Sequence, residues 1–505
     1  MIKSLLKGIE MRLFLKTSLL AIAIFASVSA TAQRAFTPQA GTWIITEELN
    51  GRPGRGISLD VQENMMYLQL FGYLNDGQAT FYSALGELKD TTFNSQIYSY
   101  QDGPYFGGPA KSGKVDKPVG DIQLKFNDGI SGTIKLPGEA EKKIQRFQFN
   151  APDPLYAIEG KLNASFFPFE DNKPAGEHWF VQFNLPSSST NGYISVGLNS
   201  QIDIGGSCEQ IDEMGDYFCS GKIMDRVSNK IIGNGEIEFK RTAGQYSGVL
   251  KTNIEGNKIY NFKGFDNAIV GAQGFRRAYV NDVQELAGID GTSSSGLMPA
   301  NGIWAVIDEL NGLPGRGISL DVQDGLAVIQ IYNYLENGAS TFHMGSELYR
   351  GRGTSIAINR YQNGIYFGGP PQEAQFLESA GFARIAIQNS DSAQYNIDYG
   401  FIEFPKESGK LIKRINLNPD SNTLNGLRGY WYFSSVQKVY KLENISNNRI
   451  SDSKGEIFCE FSDVLNKKIR CTTSAAEEIN FTSNINGASR NARRLTDSLG
   501  NVLGI

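Results

Sequence analysis

Histidine is nearly missing from this 505-residue sequence, which has two, His178 and His343. The two do not correspond to one another in the internal repeat described below. A Ser-His-Asp or Cys-His device shared by both copies is therefore excluded. Cysteine is scarce too: four residues, Cys208, Cys219, Cys459 and Cys471, with no Cys-x-x-Cys spacing. That leaves no zinc-type ligand set, and no metal is expected. No cofactor motif is present either. Positive charge is not in excess, with 48 Lys and Arg against 53 Asp and Glu for a net charge of −5. A broad basic face for nucleic acid is excluded by that balance. Helical periodicity is lacking throughout; only residues 282–287 and 372–379 could make short helices.

Long apolar runs are missing except near the start. Lys3, Lys7, Arg12 and Lys16 precede the apolar stretch 19–26, and small residues follow up to Ala30 and Ala32. This is the layout of a secretory signal peptide, residues 1–32, with Met11 as an alternative start. The stretch is short for a retained membrane anchor. Export to the periplasm or outside the cell is the expectation, with no transmembrane segment after signal removal. In an oxidising compartment the cysteines read as two local disulfides, Cys208–Cys219 and Cys459–Cys471.

What the sequence does have, it has twice. Leu49-Asn50-Gly51-Arg52-Pro53-Gly54-Arg55-Gly56-Ile57-Ser58-Leu59-Asp60-Val61-Gln62 recurs from Leu310 to Gln323, 261 residues later, with Leu313 replacing Arg52. The match begins at Gly41-x-Trp43 and Gly302-x-Trp304. It returns as Tyr-Phe-Gly-Gly-Pro at 105–109 and 366–370. Each copy is a control for the other. A residue kept in both serves the module's fold or its surface, and a residue in one copy only cannot be essential to a shared activity.

Abundant glycine and aromatics suit short strands joined by tight turns. Eight strand-like runs lie within 42–149 at hairpin spacing, and the third quarter repeats them. The expected class is all-β: a tandem duplication of antiparallel meander barrels or sandwiches, each followed by a second β unit with a Cys pair. The divisions are 38–150, 156–285, a linker at 286–298, 299–418 and 425–505. The last unit looks too short for eight strands. Trp179 is matched to Trp431, and about 35 residues, enough for three strands, are missing after the second Cys pair. A Gly-Ala and a double Arg, 271–277 and 487–494, close the two halves.

Four features could carry function. Gly-Arg-Pro-Gly-Arg-Gly lacks the Lys-Ser/Thr and helix of a phosphate loop. It reads as a type II turn with Pro53 or Pro314 second and Gly54 or Gly315 third, at positive φ. Arg55 and Arg316 survive in both copies. They could hold an anion, but an internal ion pair with Glu48 and Glu309, or with Asp60 and Asp321, is the stronger reading. Gln69, Phe71 and Tyr73 alternate onto one face of a strand, as do Gln330, Tyr332 and Tyr334, with aliphatic residues on the other face. An amide beside two aromatics could hold a sugar ring or another flat polar ligand, or form an aromatic ladder. Tyr-Phe-Gly-Gly-Pro could line a barrel mouth or make a structural corner. Trp43 and Trp304 could plug a barrel's closed end. Asp321 to Gly325 resembles part of a calcium loop, but the first copy lacks it, so it reads as a hairpin turn.

Gly-x-Trp, Gly-Arg-Gly-Ile-Ser-Leu-Asp-Val-Gln and Tyr-x-Tyr-Leu together resemble a repeat of uncharacterised exported bacterial proteins, over 38–109 and 299–370. The family's second Trp is replaced here by Phe81 and Phe342. The resemblance implies an exported β module and no activity. Strand number gives a looser likeness to lipocalin- or avidin-like barrels. The function expected is that of a non-enzymatic exported binding protein whose two modules hold a glycan or small polar-aromatic ligand, or a cell-surface partner, bivalently. One alternative is a structural protein of envelope assembly. Another is a hydrolase using Glu48 and Asp60, or Glu309 and Asp321.

Overall fold

The computed structural model describes residues 34–503 except 35, 52–53, 150–161, 172, 185–191, 199–201, 211–215, 243–244, 255, 267–298, 324–325, 350–352, 391–393, 419, 421–422, 464–467, 483–491, 497–498 and 500–502. The segments expected to be a signal peptide and a linker, Arg52, Pro53, the candidate helix 282–287 and both Gly-Ala pairs lie outside the described residues.

Eight antiparallel strands close the first barrel: β1 (Gly41–Ile45), β2 (Gly56–Gln62), β3 (Met65–Tyr73), β4 (Ala79–Lys89), β5 (Thr92–Gln101), β6 (Lys114–Phe126), β7 (Ser131–Lys135) and β8 (Lys142–Arg146). Each pairs with the next, and β1 pairs with β8 through Trp43 opposite Arg146. Closure leaves no free sheet edge. All eight expected strands are there. β6 begins seven residues earlier than the pattern suggests, because Lys114 to Gly120 is charged and interrupted by Pro118. That stretch joins the sheet through register shifts opposite Ile97/Tyr98 and Ser99/Tyr100, where a strand tolerates proline.

Inward positions of this barrel carry Trp43, Ile57, Leu59, Leu68, Leu70, Phe93, Ile122, Leu124 and Ile144, which pack as one core. An eight-stranded barrel is just wide enough for such side chains to fill. The third unit, Gly302–Arg414, repeats this closure with Trp304, Ile318, Leu320, Ile329, Ile331 and Ile412 inside. Both tryptophans are fully buried in these cores. Trp43 Nε1 donates to the Gln39 carbonyl at 2.9 Å, and Trp304 Nε1 to that of Ala300 at 3.0 Å. Gly41 and Gly302, two residues before each Trp, have φ of 123° and 134°, which an L side chain rarely adopts.

The second unit is also a closed barrel of eight long strands, from Leu162–Glu170 to Lys258–Asp266, with the two-residue strand Lys173–Pro174 appended. The run expected at 193–204 divides into Gly192–Gly197 and Ile202–Gln210. The one expected at 268–280 lies outside the described residues. The fourth unit holds eight strands after all, in sheets of three and five among the described residues. They are short, mostly three to seven residues, which is how so many fit. Among the described residues two strands follow the one bearing Cys471, against three after Cys219. Trp431 opens its unit opposite Arg494. Trp179 instead lies opposite Phe166, one strand further on, so the two tryptophans are not equivalent.

Both disulfides join directly opposed residues of neighbouring strands, Cys208 with Cys219 and Cys459 with Cys471. Residues 375–379 belong to the strand Gln375–Ser390 and make no helix. Positive φ in the glycine-rich segments falls at Gly51 and Gly312; Gly315 does not take it, so the type II turn expected at Pro314-Gly315 does not form, while Pro53 of the first copy lies outside the described residues. Short 3-10 turns, Thr46–Glu48 and Ile307–Glu309, precede the two glycine-rich segments.

Candidate functional site

Gln69, Phe71 and Tyr73 do share the outer face of β3, as alternation requires. That face is not exposed. It is pressed against the matching face of the third barrel, where Gln330, Tyr332 and Tyr334 lie on the strand Leu326–Tyr334. All six residues are at most 5% exposed. The reading of these residues as an open sugar-holding surface is therefore corrected. Phe71 meets Phe342 with ring centroids 5.0 Å apart, and Phe81 meets Tyr332 at 5.5 Å and Tyr334 at 5.7 Å. The aromatics form one cluster across the junction. Phe81 and Phe342 both belong to this cluster.

The contacts across the junction come in pairs with the roles of the barrels exchanged. Asp321 accepts from Arg146 Nη1 at 2.6 Å and Nη2 at 2.7 Å, and from the Thr42 N–H at 2.8 Å. Asp60 accepts from Arg414 Nη2 at 2.5 Å and Nε at 3.0 Å, and from the Ile303 N–H at 3.1 Å. All four charged residues are at most 2% exposed. Gln323 Nε2 donates to the Phe147 carbonyl, and Gln62 Nε2 to that of Ile415, each at 2.8 Å. The Asp102 N–H donates to Gly338 O and the Asn363 N–H to Gly77 O, each at 2.8 Å. A Cβ on Gly364 would come within 2.0 Å of the Tyr73 ring, and one on Gly103 within 1.9 Å of the Tyr334 ring. Each tyrosine thus occupies the place of a missing side chain in the opposite barrel.

The glycine-rich and Tyr-Phe-Gly-Gly-Pro motifs join the same arrangement. Arg55 is paired with Glu48 at 2.7 Å, as expected, and also with Glu139 in the β7–β8 connection at 2.6 Å. Glu139 then accepts the N–H of Gly368, from the other barrel's motif, at 3.1 Å. In mirror fashion Arg316 pairs with Glu309 and Glu407, and Glu407 accepts the Gly107 N–H at 3.2 Å. Beside these turns Phe367 packs on Tyr82 of the first barrel at 4.7 Å, and Phe106 on Phe404 of the third at 5.6 Å. Arg55 and Arg316 are thus held in internal ion pairs, the stronger of the two readings of the sequence. The expected pairing with Asp60 or Asp321 does not occur, because each aspartate is taken by the opposite barrel's arginine.

Electrostatics follow from this enclosure. Burial lowers the Arg55 pKa on its own, but its hydrogen bonds to Glu139 and Glu48 outweigh that and raise it. Burial would raise the Glu139 carboxyl, yet hydrogen bonds from Arg55, Lys142 and Gly368 hold it at about 2. Burial pushes the hydroxyls of Tyr73, Tyr332 and Tyr334 upward. These groups stay in one protonation state near neutrality and offer no acid or base poised for catalysis. The proposed carboxylate pairs of a hydrolase are all engaged with arginine.

The copies do differ within the junction. Ser58 Oγ donates to Gln330 Oε1, Tyr332 OH lies 3.0 Å from Ser58 Oγ, and Gln330 Nε2 reaches Thr42 Oγ1 at 3.3 Å. The mirrored positions are Ser319, Gln69, Phe71 and Ile303. Two hydroxyls have gone there, and Gln69 Oε1 and Ser319 Oγ have no protein partner. Among the described residues no group of three His, Cys, Asp or Glu could hold a metal ion. No helix of the described residues is long and apolar enough to cross a membrane.

His178 and His343 each sit between units. His178 stacks on Tyr432 of the fourth unit at 4.6 Å, with Nε2 3.0 Å from Ser165 Oγ. His343 stacks on Phe106 of the first barrel at 4.8 Å and contacts Asn333 Oδ1 at 3.0 Å. Burial lowers their pKa values to about 4 and about 3, with Arg360 adding to the second. Nothing in the sequence pattern marks these positions as junctions.

Outside the junction the copies part company. On the strand Gln375–Ser390, Phe382 is 60% exposed; Phe401 and Leu411, cross-strand neighbours, are 41% and 50% exposed. The first barrel has Asp121, Thr133 and Lys143 at the matching positions, with Thr133 opposite Lys143.

These features define a class by architecture: a pseudo-twofold pair of filled antiparallel barrels carried in one chain. No family model and no curated protein matches the sequence. A solved structure, the Helicobacter pylori beta clamp in complex with carprofen, is similar at 11% identity over 74% of this chain and 96% of that one. Its TM-score of 0.09 is too low to indicate a common fold.

Proposed function

We propose that this chain is an exported, non-catalytic interaction protein of the envelope-assembly kind. Its paired barrels serve as a rigid scaffold, and the outer sheet of the third barrel faces a partner. One observation carries the reading: the outward-facing residues kept in both copies, among them Asp60 and Asp321, Gln62 and Gln323, and Tyr73 and Tyr334, are spent fastening the barrels together, while the surface that diverges has become apolar in one of them. Exposed apolar groups at matched positions of only one copy suit recognition better than folding. A glycan held by Gln69 and Gln330, the other reading, would require the barrels to separate.

Binding of the purified, labelled protein to envelope fractions of the producing cell tests this. Phe382→Asp, Phe401→Thr and Leu411→Lys together restore the first copy's residues at exposed sites, so folding should persist and binding should fall at least tenfold. Unchanged binding, or glycan hydrolysis by the wild type, would reject the reading.

A further inference from the structure

The junction between the first and third barrels has the form of an isologous interface, the kind made by two identical subunits about a twofold axis. Asp321–Arg146 answers Asp60–Arg414, Tyr73 on Gly364 answers Tyr334 on Gly103, and Glu139 with Gly368 answers Glu407 with Gly107. Further contacts join the fourth unit to the first two. Phe167 of the second barrel packs with Tyr432 and Leu495 of the fourth unit. Glu63 of the first barrel pairs with Arg494 of the fourth at 3.4 Å. All of these contacts run between residues 34–266 and residues 299–503. Each half therefore meets the other through surfaces that a second copy would present identically.

We propose that two copies of this chain exchange halves, the first half of each docking on the second half of the other to give a closed reciprocal dimer. Every ion pair and aromatic contact of the single chain is reproduced in that dimer. The interfaces themselves do not choose between the two forms, and concentration during folding does. The buried charge pairs make the exchange readable. Asp60→Arg sets two arginines against each other within one chain, and Arg414→Asp sets two aspartates. In a dimer of one variant with the other, both sites regain opposite charges.

The experiment uses the full mature chain. Asp60→Arg and Arg414→Asp variants, one isotopically heavy, are unfolded, mixed, refolded at tens of micromolar and read by native mass spectrometry. Wild-type heavy and light chains are treated in parallel. The expected result is a one-to-one heterodimer from the variant mixture that neither variant gives alone, with mixed-mass dimers from wild type increasing with concentration. Monomers alone from the variant mixture and from wild type would overturn the proposal. Should the variants aggregate, the wild-type arm decides: mixed-mass dimers support exchange, and their absence at every concentration refutes it.

Discussion

Arg146 at the end of the first barrel lays its guanidinium flat against Asp321 of the third, with two hydrogen bonds of 2.6 and 2.7 Å and no solvent exposure on either side chain. Removing one partner strands a buried charge, which typically costs about 3–5 kcal/mol. Asp321→Ala should therefore destabilise the paired barrels by that amount in denaturant unfolding. Removing both partners should cost less than the sum of the single losses.

Phe106 and Phe367 reach across to the opposite barrel. Phe106→Ala should cost about 2 kcal/mol, below the range for a fully enclosed Phe because the ring is only partly buried. Hydrogen exchange should locate the loss around Phe404 and His343 in the third barrel. Loss confined to the loop bearing residue 106 would contradict the packing described.

Gly364 has no room for a side chain because Tyr73 fills it. Gly364→Ala should cost about 1–3 kcal/mol from overpacking. The same change in a Tyr73→Ala background should cost much less, and thermal melts of the four proteins measure this.

Acid should loosen the molecule before carboxylates titrate. His178 is held neutral, its pKa lowered from 6.5 to about 4. The unfolded chain binds the proton first, so this contribution is intact above pH 6.5 and is lost as pH falls towards 4. His343 adds a like term, extending to about 3. The loss is on the order of 3 kcal/mol for His178. Glu139, lowered to about 2, contributes stability that fades only below its ordinary value of 4.5. His178→Gln should flatten melting temperature against pH between 6.5 and 4.

The disulfides close loops of 11 and 12 residues, for which chain-entropy arguments give about 3 kcal/mol each. Reduction should lower the melting of the second and fourth units while leaving the paired barrels unchanged in calorimetry.

The duplication, the strands of the first barrel and both disulfides were legible in the sequence because each leaves a local mark: a repeat, a period of two, a short Cys spacing. The alternation of Gln69, Phe71 and Tyr73 was legible as a face apart from the core. What covered that face was not. An outer strand face that meets water and one that meets a second barrel follow the same period, and only aromatic content separates them. Arg55 found Glu48 because the two lie seven residues apart. Its bond to Glu139, 84 residues away, has no local signature. The Asp60–Arg414 pair spans 354 residues and was invisible for the same reason. The full strand number of the fourth unit and the early start of β6 went unread where charge, proline and brevity blur the alternation.

The most direct measurement is a double-mutant cycle between Asp60 and Arg414, residues from different barrels. If the repeated motifs exist to bind barrel to barrel, Asp60→Ala and Arg414→Ala should couple by about 2 kcal/mol or more, well above an exposed ion pair. Additive losses, with coupling near zero, would mean the two residues do not meet, and the pairing would be wrong.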